Sequence, residues 1–182
     1  MILTTERLLL REFEESDWPA VFAYQSGAGY LRYNPWTYRS ELDVRAFVHM
    51  FITWSKEQPR RKYQLAIVLR QDGQLIGNCG IRMQNAHAQI ADLGYEIDQR
   101  YWNQGYATEA ARALLDFGFG HLGLHRIWAQ CIAENSASAH VLEKIGMTYE
   151  GCHRESEWMK NRWWSILQYA ILEYEWRTRF QH

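Results

Sequence analysis

Two short stretches of this sequence have residue types and spacing suited to holding a phosphorylated ligand. In the first, an alternating strand (Leu93, Tyr95 and Ile97 against Asp92, Glu96 and Asp98) gives way at Tyr101-Trp102-Asn103-Gln104-Gly105, and Thr108-Glu109-Ala110-Ala111 then opens a helix. A helix N-terminus leaves backbone N–H groups unpaired, and they point at whatever anion sits there. Gly105 removes the Cβ that would keep a ligand off the backbone, and small Ala107 keeps the approach open. The stretch reads as a pyrophosphate cradle without a P-loop lysine. The second stretch, Glu134-Asn135-Ser136-Ala137-Ser138, leads into another helix, with Asn135 as N-cap and Ser138 at the third helical position. Two such corners in one sheet can hold the two ends of one long ligand.

Other patterns are weaker. Gly118-Phe119-Gly120-His121-Leu122-Gly123 fits G-x-G-x-x-G, but it closes a helix and precedes a strand, the reverse of a dinucleotide fingerprint. Its glycines are in C-cap position. His121 and His125 are separated by a glycine that breaks the helix needed to put both on one face, with no carboxylate nearby to complete a metal site. The three cysteines, Cys79, Cys131 and Cys152, are widely spaced and contain no CxxC pair, so they read as reduced thiols rather than a disulfide framework or zinc site. No metal is expected.

The elements that must position the two corners follow from periodicity and punctuation. Arg7 to Phe13 reads as a first strand, and Ser16 caps a helix from about Asp17 to Gln25, with Pro19 in its first turn. Gly27 to Thr37 reads as a glycine- and aromatic-rich loop. Ser40-Glu41-Leu42-Asp43 is a capping box for a helix ending near Gln58-Pro59. Tyr63 to Leu69 and Leu75 to Met83 form a hairpin around Asp72-Gly73. The strand through Tyr95 and the helix to about Phe119 follow, then a strand from Arg126 to Ile132 and a helix from Asn135 to Ile145. Strands Met147 to Trp158 and Trp163 to Trp176 turn at Lys160-Asn161. The order β-α-α-β-β-β-α-β-α-β-β predicts an α+β chain with a mixed, mostly antiparallel central sheet flanked by helices.

A length of 182 residues suits one domain. A formal charge of -1 with both signs interspersed offers no basic face for nucleic acid. The N-terminus lacks the basic start and long apolar run of a signal peptide, and no segment approaches the ~18 apolar residues of a membrane span. A cytoplasmic protein without nucleic-acid or membrane partners is the expectation.

The chain resembles the GNAT acyl-CoA-dependent N-acetyltransferases, in particular the Rim-type branch of ribosomal-protein N-terminal acetyltransferases. The resemblance is carried by Thr5-Glu6-Arg7-Leu8-Leu9-Leu10-Arg11, Leu75-Ile76-Gly77, Leu93-Gly94-Tyr95, Tyr101 through Ala110, Asn135-Ser136-Ala137-Ser138, Glu143-Lys144-Ile145-Gly146-Met147 with Glu150-Gly151, and Tyr169-Ala170-Ile171-Leu172 near Glu175-Trp176. It implies one acetyltransferase domain over residues 1–182 with the acyl-CoA N-acyltransferase fold, and acetyl-CoA as co-substrate. The strand ending at Ile97 would pair with the pantetheine arm. Turn residues Asn103, Gln104, Gly105, Tyr106, Ala107 and Thr108 would hold the pyrophosphate, and Asn135 and Ser138 would face the cofactor from the neighbouring helix. Asn103 stands where the family often has glycine, and Leu142 where many members carry a tyrosine acid.

The reaction implied is direct attack of a neutral amine on the thioester, which needs a base, an oxyanion donor and a proton for the sulfur. With Leu142 unable to donate, Ser138 is the candidate acid. Glu96 is the first candidate base and Asp92 the second, with a water chain or Glu134 also open. The two carboxylates share a strand face ~13 Å apart unless a bulge intervenes. A backbone N–H near Ile97 would stabilise the oxyanion. Tyr33, Trp36 and Trp164 would wall the acceptor, with Tyr30, Tyr38, Trp158 and Trp163 adding aromatic surface. Three readings stay open: acetylation of a protein or peptide N-terminus, acetylation of a small amine such as a polyamine, amino acid or antibiotic, and acyl-CoA binding without turnover. The oligomeric state is open between monomer and homodimer.

Overall fold

A computed structural model describes residues 1–85 and 89–180. Eight strands form one sheet in the order β1-β2-β3-β4-β5-β6-β8-β7. They are β1 (Ile2–Thr4), β2 (Leu8–Arg11), β3 (Lys62–Leu69), β4 (Leu75–Met83), β5 (Ile90–Ile97), β6 (Arg126–Ile132), β7 (Thr148–Met159) and β8 (Arg162–Leu172). Every neighbouring pair is antiparallel except β5 and β6. The helices are α1 (Trp18–Gln25), α2 (Ala28–Arg32), α3 (Glu41–Ser55), α4 (Tyr106–Gly120), α5 (Ser136–Lys144) and α6 (Glu173–Phe180). The expected mostly antiparallel, helix-flanked sheet is the architecture found.

Strand alternation sorts the side chains into two cores. On one face Ala66, Val68 and Leu75 pack against Val21 of α1 and Val44, Val48 and Phe51 of α3. On the other, Leu65, Ile67, Ile81 and Leu93 pack against Ala110 and Leu114 of α4 and Ala139 and Leu142 of α5. Each such fully buried Leu or Ile contributes roughly 1.5–3 kcal/mol. Leu142 is 1 % exposed, so this position serves the core.

Local chemistry fixes the connections. Ser40 Oγ accepts from the Asp43 amide while the Asp43 carboxylate accepts from the Ser40 amide, closing the capping box of α3. Gly73 turns β3 into β4 at φ 73, and Lys160 and Asn161 take φ 52 and 60 between β7 and β8.

Two expectations are corrected. The stretch read as a loop contains the short helix α2, which tertiary contact secures: the Gly29 amide donates to Gln99 Oε1 at 3.0 Å. The last strand ends at Leu172 rather than Trp176. Glu175 Oε2 accepts from the Leu172 amide, and Trp176 turns inward in α6 to stack on Phe119 and donate to Asp116 Oδ1 at 2.8 Å. Packing on α4 outweighs the strand preference of that aromatic run.

Strands β5 and β6 run side by side only from Ile90 to Asp92. Beyond Asp92 and Trp128 they separate, while β5 continues on β4 to Ile97. In the β4–β5 ladder the Asp98 amide donates to the Ile76 carbonyl, so by antiparallel alternation the backbone groups of Tyr95 and Ile97 point the other way, into the opening.

Candidate active site

The opening between β5 and β6 lies beside both sequence-identified corners. At the first, Asn103 takes φ 59 and Gly105 φ 82, so Asn supplies the left-handed conformation that a glycine would take more cheaply. Gly105 is the N-cap of α4 and no side chain caps that terminus. The Glu109 amide is the first to be paired within the helix, on the Gly105 carbonyl at 3.0 Å. Amides from Tyr106 to Thr108 therefore remain available to an anion, and an uncapped terminus with no Cβ at its entrance fits a pyrophosphate. The turn is clamped from behind. Glu109 accepts from Thr5 Oγ1 at 2.6 Å, the Arg7 amide at 2.8 Å and Arg7 Nε at 2.7 Å, and Arg7 also donates to the Gln104 carbonyl at 2.9 Å. Trp102 Nε1 donates to the Ile97 carbonyl at 2.7 Å, tying the turn to the end of β5. That carbonyl is thereby engaged, and the Ile97 N–H still faces the opening.

At the second corner Asn135 Oδ1 accepts from the Ser138 amide at 3.2 Å, the expected cap of α5. Ser138 is met by a residue that sequence reasoning missed. Tyr95, pointing from β5 toward α5, has its hydroxyl 3.0 Å from both the Ser138 carbonyl and Ser138 Oγ. Burial pushes the Tyr95 phenol well above its ordinary range, so it stays protonated. Cys131 lies beside the Ser138 hydroxyl, and burial pushes its thiol up to about 11.

Glu96 points to the opposite face of β5, toward α1. It is half-buried as a residue, yet its Oε2 is enclosed by donors: Asn78 Nδ2 at 2.7 Å, Gln25 Nε2 at 3.1 Å and Tyr24 Oη at 3.3 Å. Burial raises its pKa above the carboxylate range against those hydrogen bonds, which pull it down. Oε1 accepts no hydrogen bond in good geometry among the described residues. The buried Tyr30 hydroxyl faces the same carboxylate, outside good hydrogen-bond geometry but close enough to help lower its pKa. None of Tyr24, Gln25 or Asn78 carries a sequence signal of this role, because α1 and β4 meet β5 only in the fold.

Strand β5 keeps a regular register on β4, so Asp92 and Glu96 do share a face. Asp92, however, is engaged by Arg82 through Nε at 2.7 Å and through a second guanidinium contact. It sits beside the paired end of β6 rather than at the opening. Glu134 pairs with Arg162 at 2.5 Å.

The aromatic residues divide into groups. Tyr33 meets Trp164 edge-on at 6.4 Å and donates to the Glu134 carbonyl at 3.1 Å. Trp36 stacks on Tyr30 at 6.3 Å and on the Arg39 guanidinium at 4.5 Å. Trp158 and Trp163 do not join this wall. They are cross-strand partners, 57 % and 53 % exposed, on the sheet face opposite Trp164, as alternation along β8 requires.

Acid and base candidates therefore flank β5 at its open edge, Ser138 on one face and Glu96 on the other, with the Ile97 N–H between them. The family profile of the Acetyltransferase (GNAT) domain matches residues 7–148. This chain belongs to the GNAT acetyltransferase family. The uncharacterized N-acetyltransferase YnaD of Bacillus subtilis is 39 % identical over 97 % of this chain and 99 % of its own length. A GNAT-family acetyltransferase from Bacillus anthracis superposes with a TM-score of 0.84 at 36 % identity, over 96 % of this chain and 99 % of that one. Two more distant structures share the fold. RimL, the ribosomal L7/L12 α-N-protein acetyltransferase in complex with coenzyme A, has a TM-score of 0.82 at 22 % identity, covering 94 % of this chain and 98 % of its own. Spermidine N-acetyltransferase from Vibrio cholerae in complex with CoA and spermine has 0.79 at 21 %, covering 94 % and 99 %.

Proposed function

We propose that this GNAT enzyme transfers an acetyl group from acetyl-CoA by direct attack of a primary amine, and that the acceptor is a protein or peptide N-terminal α-amine. The observation that carries the reading is Glu96: a carboxylate with one oxygen saturated by donors and the other accepting no hydrogen bond in good geometry among the described residues, at the edge where β5 leaves β6. In this reaction the amine nitrogen forms a bond to the thioester carbon and gives its proton to Glu96 Oε1. The carbonyl oxygen, as it gains charge, is met by the Ile97 N–H. The carbon–sulfur bond breaks, and the leaving sulfur takes a proton from Ser138 Oγ, which Tyr95 holds in place; Ser138 takes a proton back from water as Glu96 releases the amine's proton to solvent, so both side chains return to their starting states. The pantetheine amides would extend β5 along the free backbone groups of Tyr95, leaving the Ile97 N–H to the oxyanion. Asn103 to Thr108 would bind the pyrophosphate, while Asn135 presents Ser138. Tyr33, Trp36 and Trp164 would wall the acceptor. Asp92, engaged with Arg82, is assigned no step.

Charge favours the peptide acceptor over a polyamine. Arg32 lies over Tyr33, Arg39 over Trp36 and Arg162 over Trp164, at 5.0, 4.5 and 3.4 Å from the ring centroids. Glu134 neutralises Arg162, but Arg32 and Arg39 remain to repel a polycation, whereas a peptide brings one cation and a row of carbonyl acceptors. The purified protein should release thiol from acetyl-CoA with N-terminal peptides and not with spermidine. Turnover confined to polyamines would overturn the acceptor, and acetyl-CoA binding without turnover on any amine would leave a binding protein. No acetyl-CoA binding by calorimetry would remove the assignment.

A further inference from the structure

The saturated oxygen of Glu96 stands at the meeting point of two hydrogen-bond paths, and each path begins at an arginine. On the first, Arg39 donates to Gln25 Oε1 at 3.1 Å and Gln25 Nε2 donates to Glu96 Oε2 at 3.1 Å. On the second, Arg82 NH1 donates to Gln64 Oε1 at 2.9 Å, Gln64 Nε2 to Asn78 Oδ1 at 2.6 Å, and Asn78 Nδ2 to Glu96 Oε2 at 2.7 Å. The three amides are 0 % (Gln25), 3 % (Gln64) and 2 % (Asn78) exposed, so water does not compete for them. Asn78 Nδ2 spends its other hydrogen on Tyr24 Oη at 2.9 Å, which frees the Tyr24 proton for Glu96.

An amide can be turned end for end, and in isolation nothing in its shape says which end should face a carboxylate. An arginine has donors only and an ionised carboxylate acceptors only, so an amide strung between them has one satisfied orientation. We propose that Arg39 and Arg82, neither of which touches Glu96, are positioning residues that fix the direction of both paths so that amide N–H groups, never carbonyls, face Oε2. A proton on Oε1 would strip Oε2 of the charge toward which those donors are turned, so the two arginines oppose protonation from a distance. For Arg82 that distance is about four residues along the strand, ~13 Å. This gives Arg39 its role. It is 5 % exposed, forms no ion pair among the described residues, and its Nε is unpaired; its charge acts through space on Asp43, and its hydrogen-bonded link to the Glu96 carboxylate runs through Gln25. The glycines on the same face have a matching role. A Cβ on Gly94 would come within 2.9 Å of Arg82 NH2, and one on Gly80 within 2.1 Å of Gln64 Oε1, so a bare backbone floor is what lets the second path lie across the sheet.

The groups around Glu96 from every packed element are Tyr24 and Gln25 of α1, Tyr30 of α2, Asn78 of β4, and Arg39 through Gln25. None of these besides Glu96 and Arg39 changes or carries charge near neutral pH, so its titration can be followed cleanly. The inference rests on Glu96 as the base, and the test keeps the two claims apart by reading the carboxyl directly. Protein labelled with ¹³C at the glutamate carboxyl carbon, with Glu96→Gln to assign the resonance, gives the titration midpoint without turnover. Arg39→Met, Arg82→Met made together with Asp92→Asn to avoid a stranded carboxylate, and Gly94→Ala should each raise the midpoint, by about one pH unit for the arginine variants. Arg39→Lys and Arg82→Lys, which keep a donor, should restore it. The acid limb of kcat/KM should move with it. A midpoint that stays within about 0.2 units of wild type in the folded methionine variants overturns the proposal. So does a lysine variant shifted as far as its methionine counterpart, since packing would then be the cause. If the carboxyl shifts as described while wild type acetylates nothing, the paths stand and the proposed function falls.

Discussion

Replacing Glu96 with glutamine should move activity and stability in opposite directions. All three hydrogen bonds to the side chain fall on Oε2. A glutamine carbonyl oxygen can take that place, leaving its NH2 where Oε1 stood. The substitution removes the base and keeps the donors satisfied. Loss of a positioned general base lowers kcat/KM by about 10²–10⁴-fold. Stability follows from the sign of the pKa shift. Burial raises the pKa of Glu96 above its ordinary value of 4.5. The folded protein thus holds this proton more tightly than the unfolded chain does. The associated stability is present below pH 4.5 and is lost as pH rises through the folded pKa. Each unit of upward shift makes the ionised carboxylate cost ~1.4 kcal/mol, and for a chain of this size 1 kcal/mol moves Tm by about 2–4 °C. Glu96→Gln should therefore melt higher than wild type at pH 8 and together with it at pH 4. Thiol release with a peptide acceptor and differential scanning calorimetry across that range measure the two halves. Unchanged kcat/KM would refute the role of base. A lower Tm at pH 8 would show that the charged form is favoured by its site and refute the account of its environment.

Three further outcomes follow from the same geometry. Ser138→Ala should lower kcat by about 10²-fold with little change in acetyl-CoA affinity, and Tyr95→Phe should do the same more weakly. A large loss of affinity instead would make Ser138 part of the binding surface. Gly105→Val forces a β-branched residue to φ 82, a conformation costing ~1–2 kcal/mol or more, and brings a Cβ to 3.3 Å from Arg7. It should weaken acetyl-CoA binding at least tenfold by calorimetry. Glu109 is desolvated by its position, yet its hydrogen bonds to Thr5 and Arg7 outweigh that and depress its pKa below 4.5, so its stabilisation is present above pH 4.5 and fades as pH falls through the folded value. Glu109→Gln should cost about 1 kcal/mol at pH 7, discounted for the exposed Arg7, and the difference should close near pH 3 in thermal melts.

The two helix-opening corners proposed to hold the cofactor were legible because they are built from local chemistry. Gly105, Asn103 and the Asn135 cap are set by φ values and by hydrogen bonds spanning only a few residues, and such constraints leave marks at fixed spacing. The same holds for the capping box at Ser40 and the turn at Gly73. The alternation of β5 put Glu96 and Asp92 on one face before any coordinates, but not which of them is open to a ligand. That depends on where β6 leaves β5 and on Arg82 reaching Asp92 from a neighbouring strand.

The amino-acid sequence by itself determined most of the strand and helix order, the family resemblance and the uncapped glycine turn at Gly105, since each rests on periodicity or on contacts between residues close along the chain. Only the tertiary structure decided the environment of Glu96 and the partner of Ser138. Tyr24, Gln25, Asn78 and Tyr95 are ordinary polar and aromatic residues scattered over α1, β4 and β5, and no rule of local spacing links them. What joins them is burial, which withholds water and obliges each polar group to find its partner across the fold.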